Sequence, residues 1–100
     1  MNNRFTVDLP SEYIDLLKSE IQNLLPNSRV VVFGSRVRGN AKKYSDVDLA
    51  IIDVNKIPIK TLHKIKANID PQIDYLLDIV DYDSLSKDFQ VIIDRTGIEI

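Results

Sequence analysis

Residues 29–52 read RVVVFGSRVRGNAKKYSDVDLAII, and this stretch decides the fold. The run RVVVF at 29–33 is β-branched and apolar, which is typical of a strand covered on both faces, and VDLAII at 47–52 predicts a second strand. Two carboxylates, Asp46 and Asp48, stand at the entrance to the second strand. Burying an unpaired carboxylate costs roughly several kcal/mol, so these side chains must either reach water or meet positive charge.

The rest of the chain supplies helices and further strands. Apolar residues at helical spacing predict amphipathic helices. These helices span residues 11–25, 58–69 and a segment that begins near Asp83 or Ser84. Gly97 is expected to end the last helix, the segment DYLLDIV at 74–80 predicts a third strand, and the terminal IEI predicts a short edge strand. This order of elements predicts an α/β or α+β fold, with helices packed against a small sheet of three to four strands.

Length and composition limit the class of protein. One hundred residues, 44% of them hydrophobic, suffice for one modest core, so we expect a single domain over residues 1–100. The net charge of −2 provides no overall attraction to nucleic acid, and direct nucleic-acid binding is not expected. The chain contains no cysteine for disulfides or thiolate metal sites, and no segment reaches the roughly 20 apolar residues of a membrane span. These features predict a soluble, cytoplasmic domain.

A glycine-serine pair follows the first strand directly. Gly34 permits close approach of the backbone to a ligand, and a turn that enters a helix aims free N–H groups at a phosphate. The hydroxyl of Ser35 adds a donor, and Arg36 and Arg38 add positive charge suited to phosphate oxygens. The alternative is a tight turn in which the glycine serves geometry alone. The glycine spacings of the Walker and dinucleotide-binding motifs are missing.

Acidic residues interrupt two of the predicted strands. Successive strand residues point to opposite faces, so Asp46 and Asp48 project the same way. Mg²⁺ is the natural cation between them, because it takes carboxylate ligands together with substrate phosphates. Asp78 interrupts the third strand, and if the second and third strands pair, the three carboxylates form a pocket for two Mg²⁺ about 3.5–4 Å apart. The alternative is a solvated strand end, which suits Asp46 after Ser45 better than it suits Asp48.

Other charged and aromatic residues have simpler interpretations. Three lysines recur at four-residue spacing around His63, and a solvated helix face explains them better than phosphate or RNA binding. These lysines are Lys56, Lys60 and Lys64. Tyr75 and Tyr82 flank the third strand, where they either stack on a base or pack at the edge of the core.

Two segments together resemble the DNA polymerase β-like nucleotidyltransferase superfamily. They are GSRVRGNAKKYSDVDLAI at 34–51 and LLDIVDYDSLSKDF at 76–89. The shared features are the glycine-serine pair, an aspartate-x-aspartate pair that begins eleven positions after Ser35, and a later lone aspartate in a strand. Within the superfamily, the chain is similar to the minimal nucleotidyltransferase domains that occur with helical HEPN-type proteins in toxin–antitoxin modules. The likeness covers nearly the whole chain, and Val37 departs from it where many relatives have alanine.

The resemblance implies a polymerase β-like fold with a mixed sheet and a specific chemistry. A nucleoside monophosphate, with AMP from ATP as the first candidate, would pass to a hydroxyl group with the help of two Mg²⁺ ions. The nucleotide-binding residues it implies are Gly34, Ser35, Arg36 and Arg38. The catalytic and metal-binding residues it implies are Asp46, Asp48 and Asp78. Asp78 would also accept the proton of the attacking hydroxyl.

The resemblance also implies a partner protein. Larger relatives carry a helical domain that presents the acceptor, and few residues remain after about residue 95 to build one. The acceptor is therefore expected on a helical HEPN-type partner encoded nearby, with this chain as the antitoxin. Two alternatives remain open: a non-catalytic antitoxin that neutralises its partner by binding, and a small-molecule transferase like the antibiotic-modifying relatives.

Overall fold

A computed structural model of the chain describes residues 7–43 and 45–100. Within these residues, the helices are α1 (Ser11–Leu24), α2 (Ser35–Arg38), α3 (Ile59–Ile69) and α4 (Lys87–Thr96). The strands are β1 (Arg29–Phe33), β2 (Val47–Ile52), β3 (Leu77–Asp81) and β4 (Ile98–Glu99). Short 3₁₀ turns at Asp70–Gln72 and Tyr82–Ser84 precede and follow β3.

The described strands form one four-stranded sheet in the order β3-β2-β1-β4. β1 runs antiparallel to both β2 and β4, whereas β2 and β3 are parallel. A parallel pair requires a crossover connection, and α3 supplies it. The predicted α/β fold with a small mixed sheet is thereby confirmed, and the terminal IEI contributes the edge strand β4.

One face of the sheet carries the main core. Alternate residues of β1 and β2 are buried on this face, where they meet the apolar sides of α1 and α3. Members of this layer include Leu17, Ile21, Val30, Val32, Leu49, Ile51, Ile65 and Ile69. Burying each such side chain contributes roughly 1.5–3 kcal/mol. The layer therefore fixes β2 firmly, and with it the acidic residues at the start of the strand.

The opposite face is covered only in part. α4 lies over its middle, where Ile93 packs with Val31 and Ala50 in a second, smaller apolar cluster. This face is more open at the end where β1 finishes and where β2 and β3 begin, and Asp78 is exposed there. This end of the sheet holds the acidic residues that the sequence singles out.

The last helix begins later than predicted. It begins at Lys87 rather than at Asp83 or Ser84. The hydroxyl of Ser86 caps this helix by accepting a hydrogen bond from the backbone N–H of Phe89 at 3.2 Å. The residues before it form a 3₁₀ turn instead, so the predicted start was wrong by one turn.

The third strand is shorter than predicted. It begins at Leu77 rather than at residue 74. Before the strand, Tyr75 packs against Tyr13 in a T-shaped contact with ring centroids 5.6 Å apart. Gly97 follows the last residue of α4, as predicted. In the part of the chain that the structure describes, no helix is long and apolar enough to cross a membrane.

Candidate active site

Asp48 and Asp78 lie side by side at one end of the sheet. They are direct register partners in the parallel pair β2–β3, so both side chains leave the same face. Adjacent strands are about 4.8 Å apart, which places the two carboxyl groups within reach of one ion. Phe33, the last residue of β1, pairs with Asp48 from the other side. The arrangement follows from the parallel pairing that the sequence left open.

The carboxylates influence one another electrostatically. Asp48 is half-buried, whereas Asp46, just before β2, is exposed. Burial raises the pKa of Asp48 above its ordinary value, and the negative charges of Asp78 and then Asp46 raise it further. The positive charge of Arg38 acts in the opposite direction on this pKa. Three acidic groups and one arginine therefore share this end of the sheet, and a cation would relieve the repulsion among the acids.

Gly34 packs directly on the carboxylate of Asp48. Its backbone has φ +78° and ψ −149°, a region essentially restricted to glycine. A Cβ atom at this position would lie 2.5 Å from Oδ2 of Asp48, which is closer than any real contact. The glycine is thus required both by its conformation and by its neighbour. This contact joins the glycine turn, where the sequence predicts phosphate binding, to strand β2, where it predicts metal binding.

Arg36 occupies a different setting from the one predicted. It is only 4% exposed, and its guanidinium group donates hydrogen bonds to three backbone carbonyl groups. These carbonyls belong to Asp8, Lys43 and Ser45, at 3.1, 3.3 and 2.8 Å. The guanidinium also lies 4.4 Å from the ring centroid of Tyr75. Direct phosphate contact by Arg36 does not fit these bonds, which instead hold the loop that leads into Asp46.

The two tyrosines considered for base stacking are engaged elsewhere. Tyr75 lies between Tyr13 and the guanidinium of Arg36. The hydroxyl of Tyr82 donates a hydrogen bond to Asp94 at 2.8 Å, and its ring packs against the smaller apolar cluster. Both are aromatic residues at the edge of the core. The exposed lysines of α3 lie on the helix layer of the opposite face, away from the carboxylates.

An aromatic pair beside the carboxylates was missed by the sequence analysis. Phe33 and Phe89 pack edge to face, with ring centroids 5.8 Å apart and an interplanar angle of 85°. Phe33 stands immediately before Gly34, and Phe89 lies in the last helix. The position of Phe33 next to the glycine was the available signal. Its partner could not be identified without the packing of α4.

These side chains suit a magnesium ion that takes some of its ligands from water and substrate, rather than a metal site built entirely from protein. Among residues 7–43 and 45–100, no group of three or more His, Cys, Asp or Glu side chains could hold a metal ion by itself. Mg²⁺ commonly binds through one or two carboxylates and completes its shell with water and substrate phosphates. Asp48 and Asp78, with the exposed Asp46 nearby, fit that requirement.

The fold and this group of residues together define a nucleotidyltransferase-type protein. Residues 11–100 match the protein family described as Polymerase beta, Nucleotidyltransferase. A curated relative, the probable protein adenylyltransferase MntA of Haemophilus influenzae, is 37% identical over 95 residues, which cover 94% of this chain and 83% of the relative. The chain therefore belongs to the polymerase beta nucleotidyltransferase family.

Solved structures show the same fold. A chain of a toxin–antitoxin complex crystallised with AMP-PNP superposes with a TM-score of 0.76 at 21% identity, covering 91% of this chain and 72% of that one. A second match lies in a complex of a tri-AMPylated HEPN toxin with MNT antitoxin from Shewanella oneidensis, with a TM-score of 0.70 at 17% identity. That match covers 88% of this chain and 68% of the other. At these identities the likeness establishes the architecture alone.

Proposed function

We propose that this chain transfers AMP from ATP to a hydroxyl group on a helical, HEPN-type partner protein and thereby acts as the antitoxin of a pair. The proposal draws on the relative from Haemophilus influenzae, whose name describes a probable protein adenylyltransferase. It also draws on the fold shared with toxin–antitoxin complexes, one containing AMP-PNP and one containing an AMPylated toxin.

The observation that carries the proposal is the meeting of Gly34, Asp48 and Asp78. The two aspartates are register partners, and the glycine backbone rests on the first of them. A reaction at the α-phosphate of ATP needs the phosphates and the cation to be held next to each other. The glycine turn and the carboxylate pair provide neighbouring positions for these two groups, on strands fixed by the main core.

Each residue of the site has a proposed role. The backbone of Gly34 and the hydroxyl of Ser35 hold the triphosphate, and exposed Arg38 neutralises part of its charge. Asp46, Asp48 and Asp78 would hold Mg²⁺, with two ions expected. Mg²⁺ would neutralise charge on the phosphate oxygens and orient the nucleotide. Buried Arg36 acts as a positioning residue, because it fastens the loop before Asp46.

The reaction is a displacement at the α-phosphorus. The oxygen of the acceptor hydroxyl forms a new bond to this phosphorus while the bond to the β-phosphate bridging oxygen breaks, so pyrophosphate leaves. Asp78 accepts the proton of the hydroxyl, because it is an exposed carboxylate that an incoming partner can reach. The chain contributes position and charge rather than a covalent intermediate.

A purely binding antitoxin is the second candidate. Such a protein needs the shape of the fold but gains nothing from Asp48, whose ionisation is opposed by burial and by two neighbouring acids. A position that costs stability is better explained by chemistry than by docking. The carboxylates thus favour the catalytic function over the binding function.

The test is transfer of AMP to the HEPN-type protein encoded beside this chain. The purified pair is incubated with ATP and Mg²⁺, and the intact mass of the partner is measured for the addition of AMP. We expect addition with the wild-type chain and with Asp74→Asn, an exposed acid outside the site, but none with Asp48→Asn or Asp78→Asn. Neutralisation of the partner that persists in Asp48→Asn, without any AMP addition by the wild type, would establish the binding function instead.

A further inference from the structure

The aromatic pair of Phe33 and Phe89 borders the carboxylates and takes no part in the roles proposed so far. Phe33 is half-buried and pairs in register with Asp48. Phe89, in the first turn of α4, packs against it in a T-shaped contact and remains 40% exposed. One aromatic side chain is thus partly presented to solvent at the end of the sheet where the nucleotide is expected.

We infer that this aromatic pair is the platform on which the base of the bound nucleoside triphosphate stacks, with Phe89 as the contacting ring and Phe33 as its support. The inference rests on the proposed function, because it assumes that the α-phosphate lies at the carboxylates. It adds a nucleotide-binding residue that contacts the base without touching the phosphates or the metal.

Spacing within the sheet supports this assignment. Register partners of an antiparallel pair have Cα atoms about 4.5–5.5 Å apart, so Phe33 lies one strand away from Asp48. In a nucleoside triphosphate only the ribose separates the base from the α-phosphate. A nucleotide whose α-phosphate is held near Asp48 can therefore place its base over the neighbouring strand, where the aromatic pair lies.

The chemistry of the pair also suits a base. A planar base stacks on an aromatic face without any specific hydrogen bond, and removing such a face by alanine substitution weakens binding measurably. Phe33 holds Phe89 in place through the edge-to-face contact, so the exposed ring is already oriented before a ligand arrives. The tyrosines considered for this role, Tyr75 and Tyr82, are engaged in other contacts.

A side chain of the partner protein is the competing occupant. α4 also exposes Ile92, so an apolar partner surface would find more than one contact there. The base is favoured because Phe33, the ring on which Phe89 packs, is the register partner of Asp48. The two occupants differ in a measurable way, since only the first affects binding of free nucleotide.

The experiment compares two ligands that differ by the nucleoside. The affinities of a non-hydrolysable ATP analogue and of inorganic tripolyphosphate are measured by calorimetry in Mg²⁺ for the wild type, Phe89→Ala and Phe89→Leu. Val91→Ala is the matched control, because Val91 is 41% exposed on the same helix but points to a different side. Phe89→Leu retains an apolar contact with Phe33, so it reports on the ring even if the alanine variant folds poorly.

We expect both Phe89 variants to bind the analogue about tenfold or more weakly, in line with the loss of one stacked base. Tripolyphosphate affinity should change less than about twofold, and Val91→Ala should leave both affinities at wild-type values. The inference is overturned if Phe89→Leu weakens both ligands equally or neither. It is likewise overturned if nucleotide affinity is retained and only the KM for the partner protein rises, because the ring then serves the partner.

Failure of the proposed function gives a different result. If the wild type binds the analogue but never transfers AMP to its partner, the transferase proposal fails, while the Phe89 comparison still tests the platform. If the wild type binds the ATP analogue no more tightly than tripolyphosphate, the platform is refuted and the phosphate site is retained.

Discussion

Replacing Gly34 with alanine tests the contact on which the site is built. The new Cβ would lie 2.5 Å from Oδ2 of Asp48, whereas ordinary van der Waals contact begins at 3.4 Å. The carboxylate must therefore retreat by roughly 0.9 Å, or the backbone turn must shift by a similar amount. A misplacement of about 1 Å in a catalytic arrangement costs on the order of 100-fold in rate. That loss corresponds to about 2.7 kcal/mol in the activation barrier.

Gly39→Ala provides the matched control. Gly39 also has a positive φ, +79° with ψ +11°, but its Cβ would meet nothing within 4 Å. Alanine in this left-handed conformation costs about 1–2 kcal/mol of stability. Gly34 lies in a region essentially restricted to glycine, where a side chain costs roughly 1–3 kcal/mol. Both variants should therefore lose stability, but only Gly34→Ala should also displace a carboxylate.

The assay is kcat/KM for AMP transfer to the partner, measured well below the unfolding midpoint of each variant. We expect Gly34→Ala to lose about 100-fold and Gly39→Ala to stay within about threefold of the wild type. Thermal unfolding with and without MgATP separates folding from function, because Gly34→Ala should remain folded yet gain less stability from the nucleotide. Equal activity of the two alanine variants, at comparable folded fractions, would refute the reasoning.

Three further predictions concern stability. Because the pKa of Asp48 is raised in the folded state, its contribution to stability is present at acidic pH and is lost as pH rises through that pKa. Asp48→Asn should therefore unfold at a higher temperature than the wild type in metal-free buffer at pH 7, and this difference in melting temperature should shrink toward pH 4. A constant difference across this range would contradict the electrostatic cause. Arg36→Lys should lower the free energy of unfolding in urea by about 3 kcal/mol, because lysine cannot maintain the hydrogen bonds to three backbone carbonyl groups. A loss below about 1 kcal/mol would argue against the positioning role of Arg36. Gly97→Ala should lose roughly 1–3 kcal/mol, since its Cβ would lie 2.5 Å from Cγ1 of Val31; an unchanged melting temperature would show that the sheet can yield there.

The sequence predicted those parts of the fold that depend on continuous local patterns. The bounds of β1 and β2 match the prediction, because each strand is a mostly apolar run with glycine or polar residues beyond its ends. The four-residue helix α2 was not predicted, since a single turn is too short to show helical periodicity. The predicted start of α4 was too early, because several Ser and Asp residues close together each satisfy the rules for a helix cap.

The candidate site was predictable in its acids but not in its arginines. Asp48 and Asp78 interrupt apolar strands, and such interruptions can be read from the sequence alone. Arg36 and Arg38 look equivalent in the sequence, being two positions apart after the glycine turn. Arg36 is buried against carbonyl groups because the loop returns toward it at Ser45, whereas Arg38 remains exposed. Contacts of this kind depend on tertiary structure, which no local pattern encodes.

Asp46 and Asp48 should not be equivalent, although the motif treats them as a pair. Asp48 is fixed on both sides: β2 holds its backbone through Val47 and Leu49, which are fully buried, and Gly34 blocks its carboxylate from one direction. It therefore cannot relax away from the charge of Asp78. Asp46 precedes the strand and is exposed, so water can screen it and its side chain can turn aside. The electrostatic cost of the metal-free state is thus concentrated at Asp48, and binding of a cation should relieve it mainly there.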